Sequence, residues 1–125
     1  LHLSLRRQRQ MCIETGFSLR IYFNGRSLGP GKVELLERIA EYGSIAAAGR
    51  SMGMSYKRAW MLVAEADELF GKPTVEKQHG GHQGGGARLS KLGEAIVREY
   101  RSAQALTEQA IAQPMRNILN EIQAD

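Results

Sequence analysis

The chain has 125 residues, enough for one domain with a real core and too few for two substantial ones. Its hydrophobic fraction of 42% and charged fraction of 24% are ordinary for a globular protein and argue against disorder throughout. With 17 Lys and Arg against 13 Asp and Glu the formal charge is +4, which suits a polyanionic partner if the charge is placed to meet one.

The opening "LHLSLRRQRQ" carries arginines, but Glu14 and Arg20 interrupt any apolar run behind it. No signal peptide or membrane span is expected there, and residues 1–16 are expected to be disordered or added by tagging. Cys12 is the only cysteine, which rules out an intramolecular disulfide and a cysteine-rich zinc site and fits a reducing, cytoplasmic compartment.

"FSLRIYFNG" alternates, with Phe17, Leu19, Ile21 and Phe23 on one side and Ser18, Arg20 and Tyr22 on the other, and stops at Asn24-Gly25. It reads as a half-buried strand and a turn, followed by a loop through Gly29-Pro30-Gly31. From Lys32 to Tyr42, Leu35, Leu36, Ile39 and Ala40 form the apolar stripe of a helix that Gly43 can cap.

Ser44 fits an N-cap for "SIAAAGRSM", Gly53 breaks that run, and Ser55 fits a second N-cap for "SYKRAWMLVAEADELFG". Two helices so closely spaced form a helix-turn-helix when small residues stand at their crossing, a glycine in the turn and apolar residues between them. Ala48 and Gly49 supply the first, Gly53 the second, and Met52, Met54, Ala59 and Leu62 the third. In a DNA reader the first turn of the second helix enters the major groove, here Ser55, Tyr56, Lys57 and Arg58. Arg58 is the candidate for a bidentate guanine contact and Lys57 for a phosphate; Ser55 could instead be only a cap and Tyr56 only packing. Trp60 is read as core, or as packing against the N-terminal strand.

"TVEKQ" and "ARLS" read as two short strands around the glycine-rich "HGGHQGGG". A phosphate-binding P-loop is excluded, because no Gly-Lys-Ser/Thr ending is present. His79 and His82 are two potential metal ligands without cysteine or carboxylate partners at metal-site spacing, so no metal and no cofactor are expected. The remaining reading is a hairpin wing in which Lys77, His79, Gly81, His82, Gln83 and Arg88 offer backbone and side-chain donors to DNA.

Beyond the hairpin Leu92, Ile96, Tyr100, Ala103, Leu106 and Ala110 recur at helical steps until Pro114, which is expected to end or kink the helix. Packing within the monomer is one reading of this stripe; a homodimer seam is the one favoured. Met115, Ile118, Leu119 and Ile122 would form a shorter amphipathic tail.

Charge placement supports a DNA partner. Between Glu41 and Glu65 no carboxylate occurs, while Arg50, Lys57 and Arg58 lie inside; between Glu76 and Glu94 none occurs, while Lys77, Arg88 and Lys91 do. An enzyme is not expected, since Cys12 has no placed histidine and no carboxylate pair stands near one.

"GSIAAAGRSMGMSYKRAWMLVAEADELFG" followed by "VEKQHGGHQGGGARLSKLGEAIVREY" resembles the N-terminal winged-helix domain of ModE-type molybdate-responsive transcription regulators, itself similar to the LysR-type DNA-binding domain. The resemblance implies a dimeric regulator of double-stranded DNA, with the motif positions on Ser55 to Arg58 and on the Gly80 to Gly86 wing. Where members of that family often show Lys-Gly, this wing has His82-Gln83. The family's oxyanion sites lie in later β-barrel domains, so molybdate binding by this chain alone is not expected. The expected class is α+β: a winged helix-turn-helix over 17–90 with an N-terminal strand, and a dimerisation helix over 91–125. The alternative is an interaction or molybdenum-handling protein that keeps the fold without specific DNA readout.

Overall fold

The computed structural model describes residues 2–3, 11–12, 16–78 and 86–123. Within them the chain is α+β, with four helices, three two-stranded antiparallel ribbons and a long C-terminal helix. At the N-terminus β1 (His2–Leu3) pairs with β2 (Met11–Cys12).

The next ribbon pairs β3 (Ile21–Phe23) with β4 (Arg26–Leu28), Ile21 opposite Leu28. Asn24 and Gly25 both have positive φ, 51° and 85°, the backbone that a two-residue hairpin turn demands. The turn expected at Asn24-Gly25 is therefore present, but the segment after it is a strand rather than a loop. Alternation holds through Ile21, with Leu19 and Ile21 packed on the core and Arg20 and Tyr22 exposed. Phe23 instead leans edge-on against Phe70, ring centroids 5.2 Å apart.

Helix α1 (Pro30–Tyr42) begins two residues before the expected start, with proline in its first turn, where no N–H is missed. Gly43, at φ 70°, ends it by donating its N–H to the Ile39 carbonyl. Val33, Leu35, Leu36 and Ile39 are buried; Ala40, expected in the stripe, faces solvent.

Helix α2 (Ile45–Ser51) is capped by Ser44, whose Oγ accepts from the Ala47 N–H at 3.1 Å. Gly53, at φ 73°, turns the chain into α3 (Tyr56–Phe70). The helices meet at Gly49, where an added Cβ would stand 2.9 Å from that of Ala59, so a larger residue would pry them apart. Met52, Met54 and Leu62 pack around Ile45, Ala48, Ala59 and Val63, as their spacing predicts.

Strands β5 (Val75–Gln78) and β6 (Gly86–Leu89) pair from Val75↔Leu89 to Gln78↔Gly86. The Ala87 N–H donates to the Gly43 carbonyl at 2.9 Å, which ties this ribbon to the α1–α2 junction. Val75 and Leu89 touch both hydrophobic clusters, one formed by α1, α2 and α3, the other by Leu28, Val33, Leu36, Ile96 and Tyr100.

Helix α4 (Lys91–Gln123) does not end at Pro114 but continues through it. The proline removes one N–H and crowds the Ala110 carbonyl, but turns already formed on both sides propagate the helix past it. Side-chain hydrogen bonds from Gln113 to Asn117 and from Arg116 to Gln113 brace that stretch. Only Gly93, Ile96 and Tyr100 of this helix are buried.

Candidate functional site

The start of α3 is fixed by Ser55, whose Oγ accepts from the Arg58 N–H at 3.1 Å. This is the capping role, and it leaves the hydroxyl proton and one lone pair for a ligand. Beyond the cap Tyr56, Lys57 and Arg58 are exposed, while the next residue, Ala59, is completely buried. The exposure of Tyr56 argues against its being only a packing residue, and Ser55 does act as a cap.

Trp60 corrects the expectation of a core residue. It is 42% exposed, and the Lys77 ammonium sits 5.8 Å from its ring centroid. Ala59, Val63 and Ala66 form the buried face of α3, so the neighbouring position 60 points past the core toward the β5–β6 ribbon. Such a cation–π contact at an exposed site contributes about 0.5–1 kcal/mol, enough to bias the ribbon toward α3 without locking it.

Arg88 is not a free cation: its Nε stands 3.2 Å from Glu76 Oε1, directly across the ribbon. Both groups are well exposed, and pairs of that kind contribute little. The expected contact residues His79, Gly81, His82 and Gln83 lie outside the described residues.

Arg26 with Glu68, Lys32 with Glu65, Arg38 with Glu34 and Arg101 with Glu37 are ion pairs at 2.5 to 3.2 Å. Among the described residues Arg50, Lys57, Arg58 and Lys77 have no such carboxylate. Arg20, Lys72, Lys91 and Arg116 also lack one among these residues, and paired Arg88 lies in the ribbon, so unpaired cations are not confined to one region; Arg50, Lys57, Arg58 and Lys77 are those in α2, α3 and the adjoining ribbon.

A buried polar network, missed from sequence, sets the ribbon's place beside α3. Asp67 Oδ1 accepts from both the N–H and the hydroxyl of Thr74, each at 2.7 Å, and Thr74 is wholly buried. The Thr74 carbonyl accepts from the Ser90 N–H, and the Ser90 hydroxyl donates to Pro73 and accepts from the Gly93 N–H that opens α4. Ser90 was readable as an N-cap. Asp67 looked like one more solvated acid because its partner lies across a turn.

The positions expected to form a dimer seam do not form one continuous exposed stripe. Leu92 packs on the core, and Ile96 and Tyr100 are 7% and 2% exposed, consumed by α1 and the β3–β4 ribbon. The Tyr100 hydroxyl donates to the Leu19 carbonyl at 2.5 Å. Burial holds this phenol above its usual range, with Arg101 and Arg20 pulling the other way. Ala103 is half-buried, whereas Leu106 and Ala110 are exposed. The periodicity was that of a helix with two employers: core first, solvent-facing later.

Among the described residues no group of three or more His, Cys, Asp or Glu is placed to hold a metal, and no helix is long and apolar enough to cross a membrane. A cleft lined by Arg26, Ser27, Lys32, Glu65, Glu68 and Leu69 holds its charges mostly as the pairs named above.

No family model matches the chain. It is 44% identical over 70 residues to the molybdenum-pterin-binding protein MopA of Rhodobacter capsulatus, a match covering 56% of this chain and 26% of that protein. It is 35% identical over 98 residues to the molybdenum transport protein ModE of Azotobacter vinelandii, covering 78% and 36%. Over 71 residues it is 38% identical to the DNA-binding transcriptional dual regulator ModE of Escherichia coli strain K12, covering 57% and 27%. The chain spans about a quarter to a third of the length of these curated relatives, whose names describe molybdenum binding, transport and transcription regulation rather than catalysis. Over that shared stretch it is similar to proteins of the ModE and Mop group.

Proposed function

We propose that this chain is a winged helix-turn-helix unit that binds double-stranded DNA as a ModE-like transcription regulator. In this reading α3 enters the major groove, and the β5–β6 ribbon is a wing on the adjacent backbone or minor groove. The observation that carries it is local: Lys57 and Arg58 are exposed in the first turn of α3, and they, with Arg50 of α2 and Lys77 of the ribbon, lack carboxylate partners among the described residues. Neighbouring cations without counter-charges repel each other, a cost that a polyanionic partner would relieve. Similarity to proteins named as DNA-binding regulators supports the same reading.

A homodimer completes the proposal. Leu106, Ile118 and Ile122 are 64%, 53% and 57% exposed on the outer half of α4, beyond its last core residue. Paired about this half, two copies would present their α3 helices to successive major grooves. Leu106→Glu lies outside the core and should give monomers by sedimentation that bind DNA weakly. A wild-type chain that sediments as a monomer at micromolar concentration would remove the dimer.

Titrating the chain with duplex DNA at two salt concentrations tests the function itself. The logarithm of affinity should fall with the logarithm of salt by about 0.9 per phosphate neutralised. Affinity that hardly changes would sink the proposal. It would favour the second reading, a molybdenum-handling protein without DNA readout, for which the similarity to molybdenum-pterin-binding proteins speaks.

A further inference from the structure

The solvent face of α3 says more than that DNA binds. Its buried side is Ala59, Val63 and Ala66, so helical geometry places Lys57 and Met61 near the opposite side, one turn apart. Tyr56 and Trp60 flank them on one edge, and Arg58 on the other. Further along, the face closes with Glu65 and Glu68, which are engaged by Lys32 and Arg26. The stretch able to meet base edges is therefore short, Tyr56 to Ala64.

Each base offers a different group in the major groove. Adenine is read by the paired donor and acceptor of Asn or Gln, cytosine by a carboxylate, guanine by Arg or Lys, and thymine by apolar contact with its methyl. Tyr56 to Ala64 contains no Asn, Gln, Asp or Glu. It contains two cations, and two large apolar side chains left in water: Trp60 at 42% and Met61 at 47% exposed. Exposed apolar bulk flanked by unpaired cations fits a surface that is both anionic and studded with methyl groups. The Met61 thioether is unbranched and adapts its shape to such a contact.

We propose that α3 selects its site by thymine methyl groups, with Met61 as the reading side chain and Trp60 beside it. The inference rests on the DNA-binding reading above and adds to it the feature of the DNA that is recognised. Arg58 keeps the guanine role, so the preferred half-site combines guanine with thymine.

The test starts from a random duplex library selected on the full chain. The enriched duplex is then resynthesised with each thymine in turn replaced by uracil, which removes only the methyl. At one or more thymines Kd should rise about fourfold, the effect expected for one methyl left uncovered. Met61→Ala should bind the thymine and uracil duplexes alike, with its affinity for the uracil duplex unchanged, and Met61→Leu should keep the discrimination. If a duplex is enriched but every uracil version binds as tightly as the parent, the inference is overturned while DNA binding stands. Should no duplex be enriched at all, DNA readout and the inference fail together, and the apolar patch on α3 belongs to a protein contact.

Discussion

At its C-terminal end α3 is held by everything around it; at its N-terminal end only its core face is held. Glu65 and Glu68 are paired with Lys32 and Arg26, Asp67 takes two hydrogen bonds from Thr74, and Phe70 meets Phe23 edge-on. Tyr56, Lys57 and Arg58 have only the Ser55 cap behind them and solvent in front. One helix of 15 residues is thus packed at one end and open at the other, and the proposed binding role falls on the open end. Substitutions at one end should cost stability, and at the other end binding.

The sharpest way to break the held end is Gly93→Ala. An added Cβ would stand 2.2 Å from the Thr74 carbonyl, and the neighbour is backbone that is itself hydrogen-bonded to Ser90. The first turn of α4 must then move off the ribbon, at a cost of about 3 kcal/mol in unfolding free energy. Denaturant unfolding measures it; a loss under about 1 kcal/mol would mean that the packing there is loose. Asp67→Ala comes next. It leaves the N–H and hydroxyl of a fully buried Thr74 without an acceptor, which costs about 2 kcal/mol. Both variants should keep whatever DNA preference the folded fraction has.

At the other end the signs reverse. Arg58→Ala should leave the unfolding midpoint unchanged, because the side chain is exposed and the cap uses only its backbone N–H. It should weaken binding to a selected duplex by about 1–3 kcal/mol and relax the preference at one base pair. Lys57→Ala should weaken all duplexes alike. Competition binding against selected and scrambled duplexes separates the two roles, and the opposite pattern would exchange them.

How legible this division was depends on distance along the chain. The cap at Ser55 and the turn at Gly53 involve residues within a few positions of one another, and the crossing of Gly49 with Ala59 spans only ten, so their chemistry could be read directly. Strand β4 was missed because Arg26–Leu28 is three residues long and runs into Gly29-Pro30-Gly31, so the turn signal was visible without its second arm. The Asp67–Thr74–Ser90–Gly93 network joins two helices and a ribbon, and nothing local distinguishes Asp67 from the acids beside it. Trp60 misled because its helical spacing to Val63 and Ala64 argued for the core, whereas the buried face runs through Ala59, Val63 and Ala66 and leaves position 60 at its edge. The stripe of α4 carried a period but no record of which neighbour covers which turn.

Tyr100 offers a pH-dependent measure of how far the held region extends into α4. Burial raises its pKa above the ordinary value near 10, and its hydroxyl donates to Leu19. A proton held more tightly in the folded state contributes stability that is fully present below the unfolded value and lost as pH rises through the folded one. Unfolding free energy should therefore decline above about pH 10. Tyr100→Phe should be less stable by about 1 kcal/mol at neutral pH, and its alkaline decline should be shallower than that of the wild type. Parallel alkaline curves for the two proteins would show that Tyr100 does not carry the effect.

The smallest expected effect concerns Glu76, a carboxylate on the proposed wing. Glu76 lies 3.2 Å from Arg88 across the ribbon, with both side chains exposed, so the pair contributes little to stability. If the ribbon approaches DNA, however, Glu76 opposes the phosphates while also holding Arg88 back from them. Glu76→Gln keeps the side chain's size and removes both effects. Its unfolding midpoint should match the wild type, and its affinity for duplex DNA should rise by about 0.5 kcal/mol, roughly twofold, at low salt. The gain should vanish at high salt, because the groups are exposed and screened. An affinity that rises equally at high salt would point to a change in ribbon shape instead. An unchanged affinity at low salt would place the ribbon away from the phosphates and leave α3 to bind alone.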